Sequence, residues 1–530
     1  MRIGTFISKY HVLQKNQILE TDTVTLNGRV TNVRALSSFL FFYDIEEDGA
    51  RLQIAANKRL VKGNPEKSDF KKAHKYIRKG DVISVVGNPG RSDRGELSLF
   101  TIAPPKLLSP CLHDVPQVIP AVKALHNRHL ELRTNPQAIK TLRLRSHIIQ
   151  SLRQFLLMHN FIEVETPIIS SHASGALANP FLTTSTSFGD RPLALRIAPE
   201  LWLKRLVVGG LDRVFEIGPQ FRNEHIDGTH NPEFTTCEFY RTYADLDHLM
   251  TFTEELLQTL SVRVAKAKFE GNDCHGLPDT PVDFMQPFKQ ISFIPKLEEC
   301  LGEPLPDVDP SRPDAEVITD LLEIFDKHRI RVPENPTPAK LLDKLASRFL
   351  EPLCTGPTFI THHPECLSPL SKSAVIGGRR VAMRAELFVN GQEIVNCYEE
   401  ENSPIEQRRK FLAQQLSKPD AALTDAAAVV PARPHTTGSE DEMPVDESYV
   451  RALEYGLPPT IGWGCGVDRI VMLFSGQKRI SGVLAFGGLR GAVNQGHEDP
   501  EAVSEKEQKL EENLAALEMA REKAEAAKGE

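Results

Sequence analysis

The residues with the clearest chemical potential are an arginine, an amide, several carboxylates and aromatic rings in one short segment. Phe221–Arg222–Asn223–Glu224 is followed by His230–Asn231–Pro232–Glu233–Phe234 and then by Glu238–Phe239–Tyr240. An arginine fork beside carboxylates can hold a phosphate and a charged substrate together. The structural alternative is a surface hairpin with exposed ion pairs.

Two strands are predicted on either side of this loop. Arg213–Gly218 alternates polar and apolar residues as a half-buried strand does, and Glu233–Tyr240 does so less cleanly. The hairpin would bring four polar side chains near one sheet surface: Arg222, Glu224, Glu238 and Tyr240.

A second chemical signal lies far downstream in a glycine-rich segment. Gly462–Trp463–Gly464–Cys465–Gly466 leads into the apolar run Val467–Leu473, which predicts a strand followed by a helix. Alternate glycines leave one strand face bare, so that a flat ligand can lie against it, although such glycines also serve helix–strand packing. Arg469 would lie in the first turn of the helix. Neither a P-loop nor a GxGxxG dinucleotide motif is present.

A third segment, Glu386–Asn402, predicts a hairpin around the turn residues Asn390 and Gly391. Glu386 and Glu393 flank that turn on its two strands. Paired carboxylates suit Mg²⁺, which fills the rest of its coordination shell with phosphate oxygens and water. The alternative is two solvated strand glutamates.

Together these segments resemble the class II aminoacyl-tRNA synthetases. Residues 221–240 are similar to motif 2 of that class and Gly462–Arg469 to motif 3. Phe161–Pro167, which follows the amphipathic stretch Ser146–His159, is similar to motif 1. The resemblance covers roughly residues 22–490.

Within the class, the resemblance is to the lysyl-tRNA synthetases. Arg196–Leu206 and His230–Phe234 are typical of them, and the run Glu399–Glu401 resembles fungal mitochondrial-type forms. The family usually has Phe-Pro-x-x-Arg-Pro after motif 3, where this chain has Phe486–Gly491. It commonly has Ser or Thr at the position of Glu399.

The resemblance implies an α+β fold, in which an N-terminal OB-fold β-barrel precedes a class II antiparallel-sheet catalytic domain with a helical insertion. It implies ATP-dependent activation of lysine to lysyl-adenylate, with Mg²⁺, and transfer of lysine to the 3′ end of tRNA(Lys). Alternatives are an aspartyl- or asparaginyl-tRNA synthetase, or a synthetase-like RNA-binding protein with weak catalysis.

The resemblance also implies roles for individual residues. The catalytic residues are Arg222 and Arg469, and the Mg²⁺ ligands are Glu386 and Glu393. The ATP-binding residues are Arg222, Glu224, His230, Asn231, Phe234, Glu386, Gly466 and Arg469. The lysine-binding residues are Gly175, Glu200, Arg222, Glu238, Tyr240, Asn396, Tyr398 and Glu400. A buried ε-ammonium needs anionic partners, whereas an aspartate pocket would need cations at these positions.

Composition and patterning predict the domain organisation. The chain has 530 residues, a net charge of −8 and eight cysteines without a CxxC pair, which indicates reduced thiols and no structural zinc. No apolar run is long enough to cross a membrane. The predicted regions are a leader at 1–21, the OB-fold domain at 22–110, a linker at 111–135, the catalytic domain at 136–497 and a charged helical tail at 498–530. Within the OB-fold domain, Asn88–Pro89–Gly90 predicts a turn between strands. Within the catalytic domain we expect a helical insertion at 265–355, with helices at Asp314–Lys327 and Pro338–Phe349, and a flexible loop at 416–444.

Partners and location are further expectations. Arg34, Phe39 and Gln53 would bind the tRNA anticodon, with Phe39 as a stacking ring. A homodimer is expected through motif 1, with Ser146–His159 presenting an apolar face. Residues 1–19 carry Arg2, Lys9 and Lys15 and no acidic residue, which suits mitochondrial import, with a cytoplasmic location as the alternative.

Overall fold

The computed structural model describes residues 1–63, 66–116, 118–120, 124, 127–171, 178–189, 191–269, 274–416 and 446–493. These residues form two compact units, 1–136 and 137–493. Three sequence predictions lie outside the described residues: Gly175, residues 417–444 of the expected loop, and the tail at 498–530.

The first unit is a β-barrel whose first two strands alternate buried residues with more exposed ones. The strands are β1 (Val24–Ser37), β2 (Leu40–Glu47), β3 (Ala50–Asn57), β4 (Val82–Arg91), β5 (Leu97–Thr101) and β6 (Lys106–Ser109). They pair in the order β1-β2-β3-β5-β4-β6, and β1 also pairs with β4, which closes the barrel. The predicted OB-fold is confirmed.

One predicted turn in this barrel is wrong. Asn88–Pro89–Gly90 reads as a turn in the sequence, but the structure continues β4 through it to Arg91. Gly87 makes this possible, because a Cβ there would overlap the Phe100 carbonyl of β5. Pro89 has no amide hydrogen to donate, but its carbonyl accepts a hydrogen bond from Leu19 N at 2.9 Å.

The N-terminal residues pack as part of the barrel rather than as a separate leader. Helix α1 (Ile3–Tyr10) buries Ile3 and Phe6 completely in the barrel core. The amide of Ile3 donates to Glu47 Oε2 at 2.8 Å. Burial of these apolar side chains explains why the boundary predicted at residue 22 does not separate two structural parts.

The second unit is built on an eight-stranded sheet with the order β13-β14-β17-β18-β19-β12-β11-β7. Its pairings are antiparallel except for the edge pairs β7–β11 and β13–β14, which are parallel. The strands of the sheet are β7 (Ile162–Glu163), β11 (Arg213–Phe221), β12 (Glu233–Thr242), β13 (Lys289–Ser292), β14 (Thr358–Thr361), β17 (Arg384–Val389), β18 (Gln392–Glu399) and β19 (Thr460–Gly466). Smaller pairings use β8 (Ile169–Ser170), β9 (Leu182–Thr183), β10 (Leu193–Leu195), β15 (Ser373–Ile376) and β16 (Arg379–Ala382). The predicted α+β class is confirmed.

Helices cover one face of this sheet, and other helices pack against part of the opposite face, where Val214 of β11 and Tyr240 of β12 are buried. The further helices are α2 (Lys67–Lys75) and α3 (Arg128–Thr134) in the first unit, then α4 (Pro136–Met158), α5 (Glu200–Val208), α6 (Leu246–Phe269), α7 (Phe293–Leu301), α8 (Asp314–Lys327), α9 (Pro338–Phe349), α10 (Pro404–Leu416), α11 (Glu447–Leu453), α12 (Val467–Ser475) and α13 (Leu489–Val493). Apolar side chains of α4, α6 and α12 form the main core with the sheet.

The helical insertion starts later than the predicted residue 265. The helix α6 runs to Phe269 and belongs to the main core, as do Cys274 and Phe288. A separate core begins at Phe293 and is formed mainly by α7, α8 and α9. Two helices predicted in this region, Asp314–Lys327 and Pro338–Phe349, are observed with the same bounds.

The apolar face of α4 that was predicted for a dimer packs inside the subunit. Leu152, Phe155 and Leu156 are buried in the main core, and Ile149 packs against it. The periodic pattern located the apolar face and implied that part of it serves the protein's own core; the structure uses these four side chains for that core. Among the described residues, no helix combines the length and apolar character needed to cross a membrane.

Candidate active site

A cavity of about 1950 Å³ lies in the second unit, on the face of the sheet opposite the main core. Most of the predicted substrate residues line it: Glu200, Arg222, Glu224, His230, Asn231, Phe234, Glu238, Tyr240, Glu386, Glu393, Asn396, Tyr398, Gly466 and Arg469. Glu400 lies beneath the floor of the cavity, 1 % exposed. The fold therefore brings the cavity-lining residues together from four strands, from the helices α5 and α12 and from the loop of the motif 2 hairpin.

Arg222 lies where the motif 2 hairpin opens into its loop. The hairpin register pairs Phe221 with Glu233, so the loop begins directly at Arg222. The Arg222 guanidinium lies 5.1 Å from the Phe234 ring centroid, and its Nε donates to the Ile197 carbonyl at 3.3 Å. These contacts orient the fork while leaving donors for a ligand.

Arg469 forms the other cationic end of the cavity. Its Nη1 donates to the Glu393 carbonyl at 2.9 Å, and its Nη2 donates to His230 Nε2 at 3.0 Å. His230 in turn donates from Nδ1 to Asp227 Oδ2 at 2.8 Å. This chain of contacts fixes the His230 tautomer, and the motif 2 loop and β18 together hold the Arg469 guanidinium from two sides.

The two predicted metal carboxylates differ in their surroundings. Glu386 accepts hydrogen bonds from Arg384 and from His363 Nε2, the latter at 3.0 Å. Burial opposes ionisation of Glu386, but the Arg384 charge and the His363 hydrogen bond outweigh it and lower the pKa of Glu386 to about 2. Burial and the nearby Glu386 charge raise the pKa of Glu393.

This carboxylate pair fits Mg²⁺ in its donor chemistry. Two carboxylates face the same cavity, and Mg²⁺ commonly takes one or two protein carboxylates together with phosphate oxygens. The guanidinium of Arg384 and the imidazole of His363 fix the orientation of Glu386, as the outer partners of metal ligands usually do.

A buried lysine that the sequence analysis missed lies between two predicted substrate carboxylates. Lys204 is 0 % exposed. Its Nζ contacts Glu200 Oε1 at 2.6 Å and also forms an ion pair with Glu400. Burial lowers the pKa of Lys204, but the charges of Glu200 and Glu400 outweigh that effect and raise it well above the usual value. The spacing of Glu200 and Lys204 by one helical turn in α5 was a signal for this contact.

The carboxylates of Glu238 and Glu400 have fewer positively charged neighbours than they need to stay ionised when buried. Burial, with the Glu200 charge adding to it and Arg222 opposing it, raises the pKa of Glu238 to about 8. Burial likewise raises the pKa of Glu400 to about 8 against the opposing charge of Lys204. Three carboxylates and one lysine leave a deficit of positive charge that an ammonium ligand would reduce.

The glycines of β19 create the space for this cluster. A Cβ at Gly462 would overlap Glu400 Oε1 and approach Tyr240 Cε1 to 2.6 Å. A Cβ at Gly464 would only touch Glu238 Cγ, at 3.4 Å. The bare strand face that the sequence predicted is therefore occupied in part by the protein's own carboxylates.

The two departures from the family pattern have structural explanations. Gly487 and Gly488 take φ values of 73° and 95°, which proline cannot adopt, and Leu489 N donates to Asn231 Oδ1 at 3.0 Å. Asn231 therefore anchors this turn as well as lining the cavity. Glu399 points away from the cluster, as strand alternation predicts, and its Oε1 accepts from Leu246 N at the start of α6, at 2.9 Å.

The predicted anticodon residues lie on the barrel of the first unit. The Phe39 ring is 42 % exposed, and Arg34 pairs with Asp44 at 3.0 Å. Gln53 is buried and donates from Nε2 to Glu96 Oε2 at 2.8 Å. Glu96 is a candidate that the sequence analysis missed, because its nearness to Gln53 depends on the pairing of β3 with β5.

Comparison with known proteins agrees with this architecture. Residues 122–490 match the family "tRNA synthetases class II (D, K and N)", and residues 24–101 match "OB-fold nucleic acid binding domain". The chain is 41 % identical over 474 residues to "Lysine--tRNA ligase, mitochondrial" of Schizosaccharomyces pombe, covering 88 % of this chain and 84 % of that protein.

Two other relatives span similar lengths. The chain is 40 % identical to "Probable lysine--tRNA ligase, cytoplasmic" of Enterocytozoon bieneusi, covering 88 % of this chain and 87 % of that protein. It is 37 % identical to "Lysine--tRNA ligase" of Aquifex aeolicus, covering 88 % and 73 %. The family match, the extent of these relatives and the OB-fold barrel agree: the chain belongs to the class II aminoacyl-tRNA synthetases.

Proposed function

We propose that this protein is a lysine–tRNA ligase, which activates lysine with ATP and transfers it to the 3′ end of tRNA(Lys). The observation that carries the proposal is the buried cluster Glu200, Glu238 and Glu400, with the cation Lys204, beside Arg222. The printed names of the three relatives support the same substrate. An aspartate or asparagine side chain would leave the carboxylate cluster short of positive charge.

In this proposal Arg222 binds the lysine carboxylate and the α-phosphate of ATP together. One carboxylate oxygen attacks phosphorus, the bond to the β-phosphate oxygen breaks, and lysyl-adenylate and pyrophosphate form. Arg469 holds the γ-phosphate end, and Phe234 stacks on adenine, with Glu224, His230, Asn231 and Gly466 lining the rest of the ATP site. The protein contributes positioning and charge neutralisation, because the reaction needs no protein nucleophile.

Glu386 and Glu393 would hold Mg²⁺, which when bound neutralises charge on the phosphates. Arg384 and His363 keep the Glu386 carboxylate in place for this role. Replacing Glu393 by Ala should raise the Mg²⁺ concentration needed for pyrophosphate exchange. An unchanged Mg²⁺ titration would contradict the assignment.

The lysine side chain would lie against Tyr240, Tyr398 and Asn396, with its ε-ammonium near Glu238 and Glu400. Glu200 and the backbone near Gly175 would hold the α-amino group. In the second step the terminal ribose hydroxyl of tRNA attacks the adenylate carbonyl, and AMP leaves. A site built around a charged group can reject analogues that lack it by about 10⁴–10⁵.

The deciding experiment is ATP–pyrophosphate exchange with lysine, aspartate and asparagine in parallel. We expect exchange with lysine only. Faster exchange with aspartate or asparagine would overturn the proposed substrate. Absence of exchange with any of the three, together with tRNA binding, would favour the alternative of a synthetase-like RNA-binding protein.

The barrel is proposed to bind the anticodon of tRNA(Lys). The exposed Phe39 ring offers a stacking surface, and Gln53 and Glu96 offer donors and acceptors to a base edge. Arg34 offers a positive charge, although its pairing with Asp44 must loosen before it can contact a phosphate.

We also propose a homodimer through the motif 1 region. Since the inner face of α4 is buried, the exposed apolar side chains at and beyond its C-terminal end are the candidates for the interface. Ile162 and Ile169 are 50 % and 52 % exposed, and Met158 is 65 % exposed. Light scattering that showed an active monomer would refute this proposal.

We propose that the protein functions in mitochondria, with the cytoplasm as the alternative location. The Schizosaccharomyces pombe relative, named as mitochondrial, and the basic residues Arg2, Lys9 and Lys15 support it. Because Ile3 and Phe6 fill the barrel core, we expect imported protein to keep these residues. Imaging of a C-terminally tagged protein and sequencing of its N-terminus would test both statements.

A further inference from the structure

One side of helix α2 carries a row of lysines. Lys67, Lys71 and Lys75 are spaced four residues apart, so the helical repeat stacks them about 6 Å apart on one face. All three are exposed, and none forms an ion pair with an acidic side chain among the residues that the structure describes. Lys72 lies on another side of the helix, where its Nζ is 4.0 Å from Asp69.

The inner side of α2 fixes this row on the barrel. Phe70 and His74 are buried, and the His74 ring stacks on Phe41 with 4.8 Å between centroids. His74 Nδ1 is 2.6 Å from the Tyr43 hydroxyl. Burial lowers the pKa of His74 to about 4, so this anchor is neutral and the positive charge of the helix lies on its outer side.

The row begins at the proposed base-stacking residue. The Lys67 ammonium lies 4.6 Å from the centroid of the Phe39 ring, which is itself 42 % exposed. Lys67 covers one face of this ring, so a base stacked on the opposite face would have Lys67 across the ring from it, with Lys71 and Lys75 following along the helix. The chain as a whole has a net charge of −8, so this concentration of lysines is local.

We propose that this α2 row binds the sugar–phosphate backbone of the tRNA anticodon arm, on the strand that leads away from the base stacked on Phe39. The inference rests on the proposed tRNA-charging function. Three ammonium groups in line suit successive phosphates of one strand, and the lack of base-edge acceptors in the row makes this contact independent of sequence.

The test is direct binding of the full-length protein to a fluorescent RNA hairpin with the anticodon-arm sequence of tRNA(Lys), measured by anisotropy over a series of salt concentrations. The test variant is Lys67→Gln with Lys71→Gln and Lys75→Gln. We expect affinity to fall more than about tenfold at low salt. The slope of log K against log salt should become shallower by about 2, since each phosphate contact contributes about 0.7–0.9.

Lys72→Gln is the matched control, because it makes one of the same charge changes on the same helix away from the row. It should change affinity less than about twofold. Phe39→Ala should lower affinity without changing the salt slope, since stacking releases no counterions. Lys→Glu changes at the three row positions should strengthen the effect of the Gln variant.

The proposal is overturned if the triple variant binds the hairpin with wild-type affinity and slope, or if the unaltered protein does not bind it. Lysine-dependent pyrophosphate exchange needs no tRNA and should be the same in all variants. Loss of exchange in the unaltered protein would count against the proposed function, while the hairpin measurement would still decide the role of the row.

Discussion

The cavity of the second unit and the side of the barrel that is proposed to bind RNA both carry charged side chains, but these side chains differ in their exposure to solvent. Lys204 and Glu400 are 0 % and 1 % exposed, whereas the ring of Phe39 is 42 % exposed and the lysines of α2 are open to solvent. Water and salt ions can replace a lost contact on the barrel, but not in the enclosed cluster. Single substitutions should therefore reduce activity severely in the cavity, whereas on the barrel each should weaken RNA binding only in part.

Arg222→Ala is the change that should have the largest effect. It removes the fork proposed to hold the substrate carboxylate and the α-phosphate, and loss of one such donor typically costs about 10²–10³ in rate. We expect lysine-dependent pyrophosphate exchange to fall about 10³-fold. Pyrophosphate exchange at the wild-type rate would show that Arg222 does not hold the substrate carboxylate and the α-phosphate.

Glu400→Gln tests the enclosed cluster itself. It leaves Lys204 with one carboxylate partner and removes a proposed ligand of the substrate ammonium, so kcat/KM for lysine should fall about 10²–10³-fold. ATP binding, followed by equilibrium dialysis, should change little. Unaltered lysine activation would place the substrate ammonium elsewhere.

Gly462→Ala should show how little space the cluster leaves. The added methyl group would overlap the Glu400 carboxylate, so we expect kcat/KM for lysine to fall about 10- to 100-fold. Gly356→Ala is the control, since nothing lies within 4 Å of the position that its added methyl group would take. Equal activity of the two variants would mean that the carboxylate can move at no cost.

Phe39→Ala probes the exposed site. Loss of one stacked base costs about 1–3 kcal/mol, so the KM for tRNA should rise about tenfold while pyrophosphate exchange stays unchanged. A complete loss of tRNA charging would contradict the expected difference between the two regions, because the exposed Phe39 contact would then be as indispensable as a buried charge in the cavity.

The pH dependence of lysine binding should give the smallest effect. With its pKa raised to about 8, Glu238 is mostly protonated at pH 7, and it ionises as the pH rises. Since an ammonium ligand prefers the carboxylate, affinity for lysine should increase about fivefold from pH 7 to pH 8. Glu238→Gln should remove this fivefold contribution and leave only that of Glu400, whose pKa is also raised to about 8. A wild-type KM that rises with pH would contradict the assignment.

Sequence periodicity and turn residues predicted the strands and helices well where the structure depends on neighbouring residues in the chain. The hairpins around Arg222 and Asn390 and the helix Asp314–Lys327 form as expected, because alternation and helical spacing are local properties. The resemblance supplied the overall order of the blocks, and the family match confirms it.

The missed features depend on contacts between distant segments. Lys204 is recognisable as part of the cluster only once β18 brings Glu400 next to α5, and Glu96 only once β5 pairs with β3. The same holds for Leu152, whose burial in the subunit depends on a sheet that is completed more than 300 residues later, at β19. A single sequence does not contain these pairings in readable form.

The packing of α1 has a consequence for the order of events during synthesis. Ile3 and Phe6 are made before the barrel strands that bury them, which extend to Asn57, and an eight-residue helix is not stable alone. At about 5–20 residues per second, α1 waits roughly 2–10 s for its partners. Protease protection of Phe6 in ribosome-bound chains of increasing length would measure this delay. Until then Arg2, Lys9 and Lys15 lie on an unpacked segment, which is the state in which the proposed mitochondrial import would need them.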